Sequence, residues 1–250
     1  MWWFEYTLLS LILFCSALVL IGLVNRAARS HFLIKHAFLY LPIFLVVFVI
    51  RAFIFQPFKV VSGSLEPTVM IGDFIGVNQS AYGIRLPLSH KKIFNTGSPK
   101  LGDIALFYYP VDQTKIYVKR VIGTPGDHVI YQDKKLTING KLMPQMADGM
   151  GFDVEPKQKA RVMNQRIEVL DGIKHRIFVD EKTQDLSVNV IVPPNKYFMM
   201  GDNRDNSGDS RYWGFVDDSQ LIGKALRILI SWDSEKLAFR TSRIGSKFSL

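Results

Sequence analysis

The 250 residues carry 31 Lys and Arg against 22 Asp and Glu, a formal net charge of +9. No long basic run with interleaved aromatics occurs, which argues against nucleic acid and for attraction to an anionic lipid surface. The single cysteine, Cys15, excludes an intrachain disulfide and a cysteine-based metal site.

Apolar residues crowd the first 58 positions. Thr7–Val24 is an almost unbroken apolar run preceded by Trp2, Trp3 and Tyr6, aromatics suited to a membrane interface. The start, Met1-Trp2-Trp3-Phe4-Glu5, lacks the positive charge of a cleavable leader, so an uncleaved anchor is expected. A second run, Ala37–Phe55, is interrupted only near its end by Arg51, whose long side chain can snorkel to the interface. Arg26, Arg29 and Lys35 lie between the runs, and the positive-inside rule puts this short loop in the cytoplasm. Two transmembrane helices over about 7–24 and 37–55 follow, in an anchor of residues 1–58. The N-terminus and residues 59–250 then lie outside the cytoplasm.

Beyond the anchor the pattern is one of short strands rich in Val, Ile, Tyr and Phe, punctuated by Gly, Pro and Asp. Strands are expected at 58–61, 74–78, 104–109, 116–122, 128–132, 136–138, 166–169, 175–179, 188–192, 197–200 and 221–231. Asn139-Gly140 is the strongest hairpin signal, because both residues tolerate positive φ. Residues 143–159 are poorly periodic and read as a long loop or insertion. The fold class is mostly β: an antiparallel domain with an insertion around 128–195.

Three segments carry candidate chemistry. In Val60-Val61-Ser62-Gly63-Ser64, an extended backbone points both hydroxyls to one face, and Gly63 allows a substrate backbone to approach. Taken alone, the segment reads as an ordinary turn. A serine needs a base, and His90, His128 and His175 stand beside basic residues or a turn and read as solvated. The alternative base is Lys119, on the strand Ile116–Ile122, where alternation sends Lys119 and Arg120 to opposite faces. Desolvation lowers a lysine pKa, and bringing it from about 10.4 to about 8 costs the ammonium roughly 3 kcal/mol. By itself this segment reads first as an exposed pair on an edge strand. The third segment, Gly201–Phe215, is dense in Asp, Asn, Ser and Arg. A calcium loop through Asn203, Asp205 and Ser207 fails because Gly214 stands where a bidentate carboxylate is required. A network of Asp–Arg pairs is expected instead.

Together, in this order and spacing, these segments resemble bacterial type I signal peptidase, with Gly72-Asp73, Ala81-Tyr82-Gly83-Ile84, Gly102-Asp103, Pro125-Gly126-Asp127, Gly223-Lys224-Ala225 and Ser242-Arg243-Ile244-Gly245 adding to the match. The two-span anchor suits the Gram-negative branch. The resemblance implies a largely antiparallel β catalytic domain with a smaller β extension that takes in residues 143–159, and a serine endopeptidase of the inner membrane that removes signal peptides after a small-x-small motif. It is expected to act as a monomer on exported preproteins, contacting membrane lipid and needing no metal or cofactor. Position by position, it implies Ser64 as nucleophile and Lys119 as general base. Ser62 and the Ser64 N–H form the oxyanion hole, Ser207 orients the amine, and Arg120, Asp202, Asp209 and Arg211 give structural support. Phe58, Val60 and Val118 are implied at the substrate pockets. Leu65, Val61 and Gln56 depart from the usual Met, Pro and Glu, packing changes that leave the reactive groups intact. Two further readings are a Ser–Lys processing protease dedicated to one pilin-like substrate and a noncatalytic, membrane-tethered binding protein.

Overall fold

The computed structural model describes residues 2–86, 91–154, 160–184 and 186–250. His90, weighed above as a base, lies outside them, as do residues 155–159 of the expected loop. The chain divides into two units, Met1–Gln56 and Pro57–Leu250.

The first unit contains α1 (Trp2–Val24) and α2 (Phe32–Val49), the latter continued by a π-helical turn, Ile50–Ile54. Tyr6–Val24 and Phe32–Ile54 have mean hydropathies of 2.7 and 2.5 and bury few of their side chains. A 23-residue helix rises about 35 Å, so both are long and apolar enough to cross a bilayer. The second run starts earlier than expected because His31, Lys35 and His36 do not stop the helix from beginning at Phe32. The Arg51 guanidinium stacks over the Phe4 ring at 4.2 Å.

The second unit is mostly β. Its strands are β1 (Phe55–Lys59), β2 (Asp73–Asn78), β3 (Ile84–Arg85), β4 (Lys92–Phe94), β5 (Ile104–Tyr108), β6 (Ile116–Gly123), β7 (His128–Gln132), β8 (Lys135–Ile138) and β9 (Lys141–Leu142). They continue with β10 (Gln145–Asp153), β11 (Arg161–Leu170), β12 (Ile173–Val179), β13 (Val188–Ile191), β14 (Lys196–Met200), β15 (Val216–Asp217), β16 (Leu221–Asp233) and β17 (Ala238–Phe239). One short helix, α3 (Ser210–Trp213), precedes β15. The main sheet runs β1-β2-β16-β5-β6-β14-β15, with β17 on β16. Smaller sheets are β10-β11-β12, β13-β7-β8-β9 and β3-β4.

The centre of the main sheet is buried on both faces. Alternation along β6 and β14 sends Ile122, Phe198 and Met200 into one apolar cluster, and Val121, Tyr197 and Met199 into the other. Asn139 and Gly140 take φ of 51° and 75°, closing the β8–β9 turn where the sequence signalled it. Residues 145–153 are strand rather than the expected loop. Gln145–Asp153 is a nine-residue strand paired with β11, and a bulge between Ala147 and Met150 breaks the alternation by which it would have been recognised.

Candidate active site

The first segment leaves β1 and turns rather than running extended. The Glu66 N–H donates to the Gly63 carbonyl at 2.9 Å and the Val69 N–H to the Leu65 carbonyl at 2.9 Å, while Leu65 and Val69 plug into the core. The turn still brings the two hydroxyls together, with Ser62 Oγ 3.4 Å from Ser64 Oγ. The loop after β14 clamps this turn from the other side. The Asn203 N–H donates to the Ser64 carbonyl at 3.1 Å, and Asn203 Nδ2 to the Gly63 carbonyl at 3.2 Å.

Lys119 and Arg120 lie on β6 between β5 and β14, so the edge-strand reading fails and both side chains are buried. Lys119 is 3 % exposed, and its Nζ donates to Ser207 Oγ at 2.9 Å. Burial pulls its pKa from 10.5 to about 8. Asp209 and Asp202 oppose the shift, and Arg211 adds to it. A Cβ at Gly201 would stand 2.3 Å from both Ser207 Oγ and the Ser64 carbonyl oxygen. Glycine therefore lets the amine's partner and the Ser64 backbone meet as neighbours. Lys119 and Ser64 form no direct hydrogen bond; Ser207 occupies the amine instead.

Behind Lys119 lies the expected Asp–Arg network. Arg120 grips Asp202 through Nε and Nη2, both at 2.7 Å, and donates Nη1 to the Gly102 carbonyl at 2.8 Å. Thr68 Oγ1 donates to the same Asp202 at 2.5 Å. Asp209 caps α3, accepts from the Gly201 N–H at 3.0 Å and pairs with Arg211 at 2.8 Å. Burial alone would raise the pKa of both aspartates, but the guanidiniums beside them hold both below the ordinary value.

The sequence reading missed several participants. Asn203 sits inside the third segment and Thr68 four residues beyond Ser64, but hydrogen bonding across 140 and 134 residues left no local mark. Arg204 and Glu168 form a buried bidentate pair, and His175 packs 3.4 Å from Glu168 and 4.0 Å from Asp202. His175 is thus not solvated as expected. Its basic neighbours in sequence point outward, whereas its own side chain faces the interior, where burial and then Arg120 lower its pKa. Phe58 and Val60 are buried beside the turn's entry and Val118 is partly buried next to Lys119. No cluster of His, Cys, Asp and Glu that could hold a metal occurs among the described residues.

Comparison with known proteins adds to this geometry. Residues 33–232 match the family model described as "Signal peptidase, peptidase S26". A signal peptidase I from Buchnera aphidicola is 35 % identical, the alignment covering 89 % of this chain and 84 % of that protein. One from Pseudomonas fluorescens is 36 % identical, over 89 % and 82 %. A crystal structure of a signal peptidase I from Enterococcus faecalis superposes with a TM-score of 0.32 at 27 % identity, covering 51 % of this chain and 96 % of that one. That superposition is too loose to carry an argument.

Proposed function

The chain belongs to the signal peptidase, peptidase S26, family, and on that premise we propose that Ser64 is its nucleophile and Lys119 its general base. The protein is a membrane serine peptidase that removes signal peptides. The observation that carries the residue assignment is the Lys119 amine: buried, depressed to about 8, and held by Ser207 across Gly201 from the Ser64 backbone.

In the proposed cycle Ser64 Oγ attacks the scissile carbonyl carbon as its proton passes to the neutral Lys119 Nζ. The Ser62 hydroxyl and the Ser64 N–H donate to the oxyanion. Collapse breaks the C–N bond, and Lys119 returns the proton to the leaving amine. Water then attacks the ester, giving its proton to Lys119, and the acid departs as Ser64 is reprotonated. Ser207 orients the amine through its 2.9 Å contact, across Gly201 from the Ser64 backbone. Phe58, Val60 and Val118 line the subsites for small residues. The two helices anchor a monomer in the inner membrane, with the Arg26–Lys35 loop cytoplasmic and residues 59–250 on the periplasmic side.

The test is incubation of the detergent-solubilised full chain with a preprotein, reading the products by mass. A single cut after a small-x-small motif is expected from the wild type and none from Ser64→Ala. Turnover by a folded Ser64→Ala at the wild-type rate overturns the assignment.

A further inference from the structure

Two buried carboxyl groups that the cycle does not use converge beneath the Ser62–Gly63–Ser64 turn. Glu66, two residues after Ser64, is 1 % exposed. The point that a Gly63 Cβ would occupy lies 3.4 Å from Glu66 Oε1 and 3.6 Å from Asp153 Oδ1. Asp153, also 1 % exposed, is the last residue of β10. Its Oδ2 accepts from Asn206 Nδ2 at 3.0 Å, but its Oδ1 is buried with no hydrogen-bond partner. The next residue in the chain returns the contact, the Val154 N–H donating to Glu66 Oε2 at 3.4 Å. Among the described residues no lysine or arginine forms an ion pair with either carboxyl. The cation acting on Glu66 among the described residues is Arg243, which is itself paired with Asp73 at 2.7 Å.

Two carboxylates cannot both ionise cheaply in a dry site without a paired cation. A buried acceptor without a donor is also unfavourable. One proton resolves both problems, because a protonated Glu66 carries a donor for the orphaned Asp153 Oδ1, which lies with Glu66 Oε1 around the same point beneath Gly63. We propose that Glu66 and Asp153 form a one-proton carboxyl pair that fastens the end of β10 to the turn carrying Ser64, making Glu66 a positioning residue. The inference rests on the reading of Ser64 as nucleophile. The titration agrees with the geometry: burial, then the charge of Asp153, raises Glu66 to about 7 against the pull of the Val154 and Ile71 N–H groups and Arg243. When the proton leaves, like charges repel directly under Gly63, and the Ser62 and Ser64 hydroxyls shift away from Lys119. Activity then depends on two opposite conditions, a deprotonated Lys119 and a protonated carboxyl pair.

The experiment measures kcat and KM of the full chain in detergent between pH 5.5 and 9.5 for the wild type, Glu66→Gln and Glu66→Ala. Glutamine keeps a donor toward Asp153 at every pH. The ratio of kcat for Glu66→Gln to that of the wild type is therefore expected to climb above pH 7, by up to about tenfold per unit where the ionised pair is inactive. Glu66→Ala leaves Asp153 Oδ1 without a donor and is expected to lower kcat more than it raises KM, a loss that the glutamine variant restores. A ratio that stays flat with pH overturns the proposal, whether or not the alanine variant folds. A flat ratio with Ser64→Ala inert sinks the carboxyl pair alone, whereas an active Ser64→Ala sinks the assignment on which it rests.

Discussion

Replacing Lys119 by methionine should abolish cleavage and, at pH 7, make the folded protein more stable. The amine sits at about 8 in the folded chain against an ordinary 10.5, so burying its charged form costs about 3 kcal/mol. At 3 % exposure little of this is screened by solvent. Methionine fills nearly the same volume without a charge, while Ser207 loses the partner that donates to it at 2.9 Å, returning about 1 kcal/mol. The net expectation is a gain of about 2 kcal/mol. Its sign follows from proton counting. Between pH 8 and 10.5 the unfolded chain holds a proton that the folded lysine has lost, so wild-type stability rises through that window. The penalty is complete below pH 8 and gone above 10.5. The advantage of Lys119→Met should therefore be constant from pH 6 to 8, cross zero near pH ~10 and turn into a deficit of about 1 kcal/mol above 10.5. Urea unfolding of the full chain in detergent at pH 7, 8.5 and 10, followed by tryptophan fluorescence, reads it directly. A variant no more stable than wild type at pH 7, with a gap that ignores pH, would show that the amine is not a desolvated base.

Two more outcomes follow from the same contacts. Ser62→Ala should reduce kcat by about 10²–10³ with KM nearly unchanged, as expected for loss of one oxyanion donor, measured by steady-state cleavage of a preprotein. Arg120→Ala leaves Asp202 charged and unpaired in the interior, so thermal or urea unfolding should report a loss of about 3–5 kcal/mol.

Strand alternation told correctly that Lys119 and Arg120 face opposite ways, but not that both faces are closed. That depends on β5 and β14 flanking β6, and β14 comes some 80 residues later. The same limit hid the Asp202 partners Arg120 and Thr68 and the Asn203 clamp, whose separations exceed any local window. Asn139-Gly140 was legible because a two-residue hairpin is decided by its own φ preferences. β10 was not, because its bulge resets the register and leaves Met146, Met150 and Phe152 exposed where alternation would have packed a face. The polarity of Gly201–Phe215 signalled a network, and the pairing of Asp202 with Arg120 and of Asp209 with Arg211 is that network.

The concentration of ion pairs behind the base calls for an explanation other than stability, since a buried pair rarely outperforms well-packed apolar residues of similar volume. Its geometry supplies one. Asp202 receives Arg120, the neighbour of the proposed base, and Thr68, four residues beyond the proposed nucleophile, while the next residue, Asn203, holds the Ser64 carbonyl. Asp209 in turn fixes Gly201 and lies close enough to raise the Lys119 pKa. Apolar side chains would fill this space but accept many small displacements, whereas bidentate pairs at 2.7 Å accept few. A base that must reach one hydroxyl from behind Ser207 depends on displacements of that size. The network is thus best understood as setting the register between β6 and the Ser64 turn, at a cost in folding free energy that the surrounding two-sided sheet offsets.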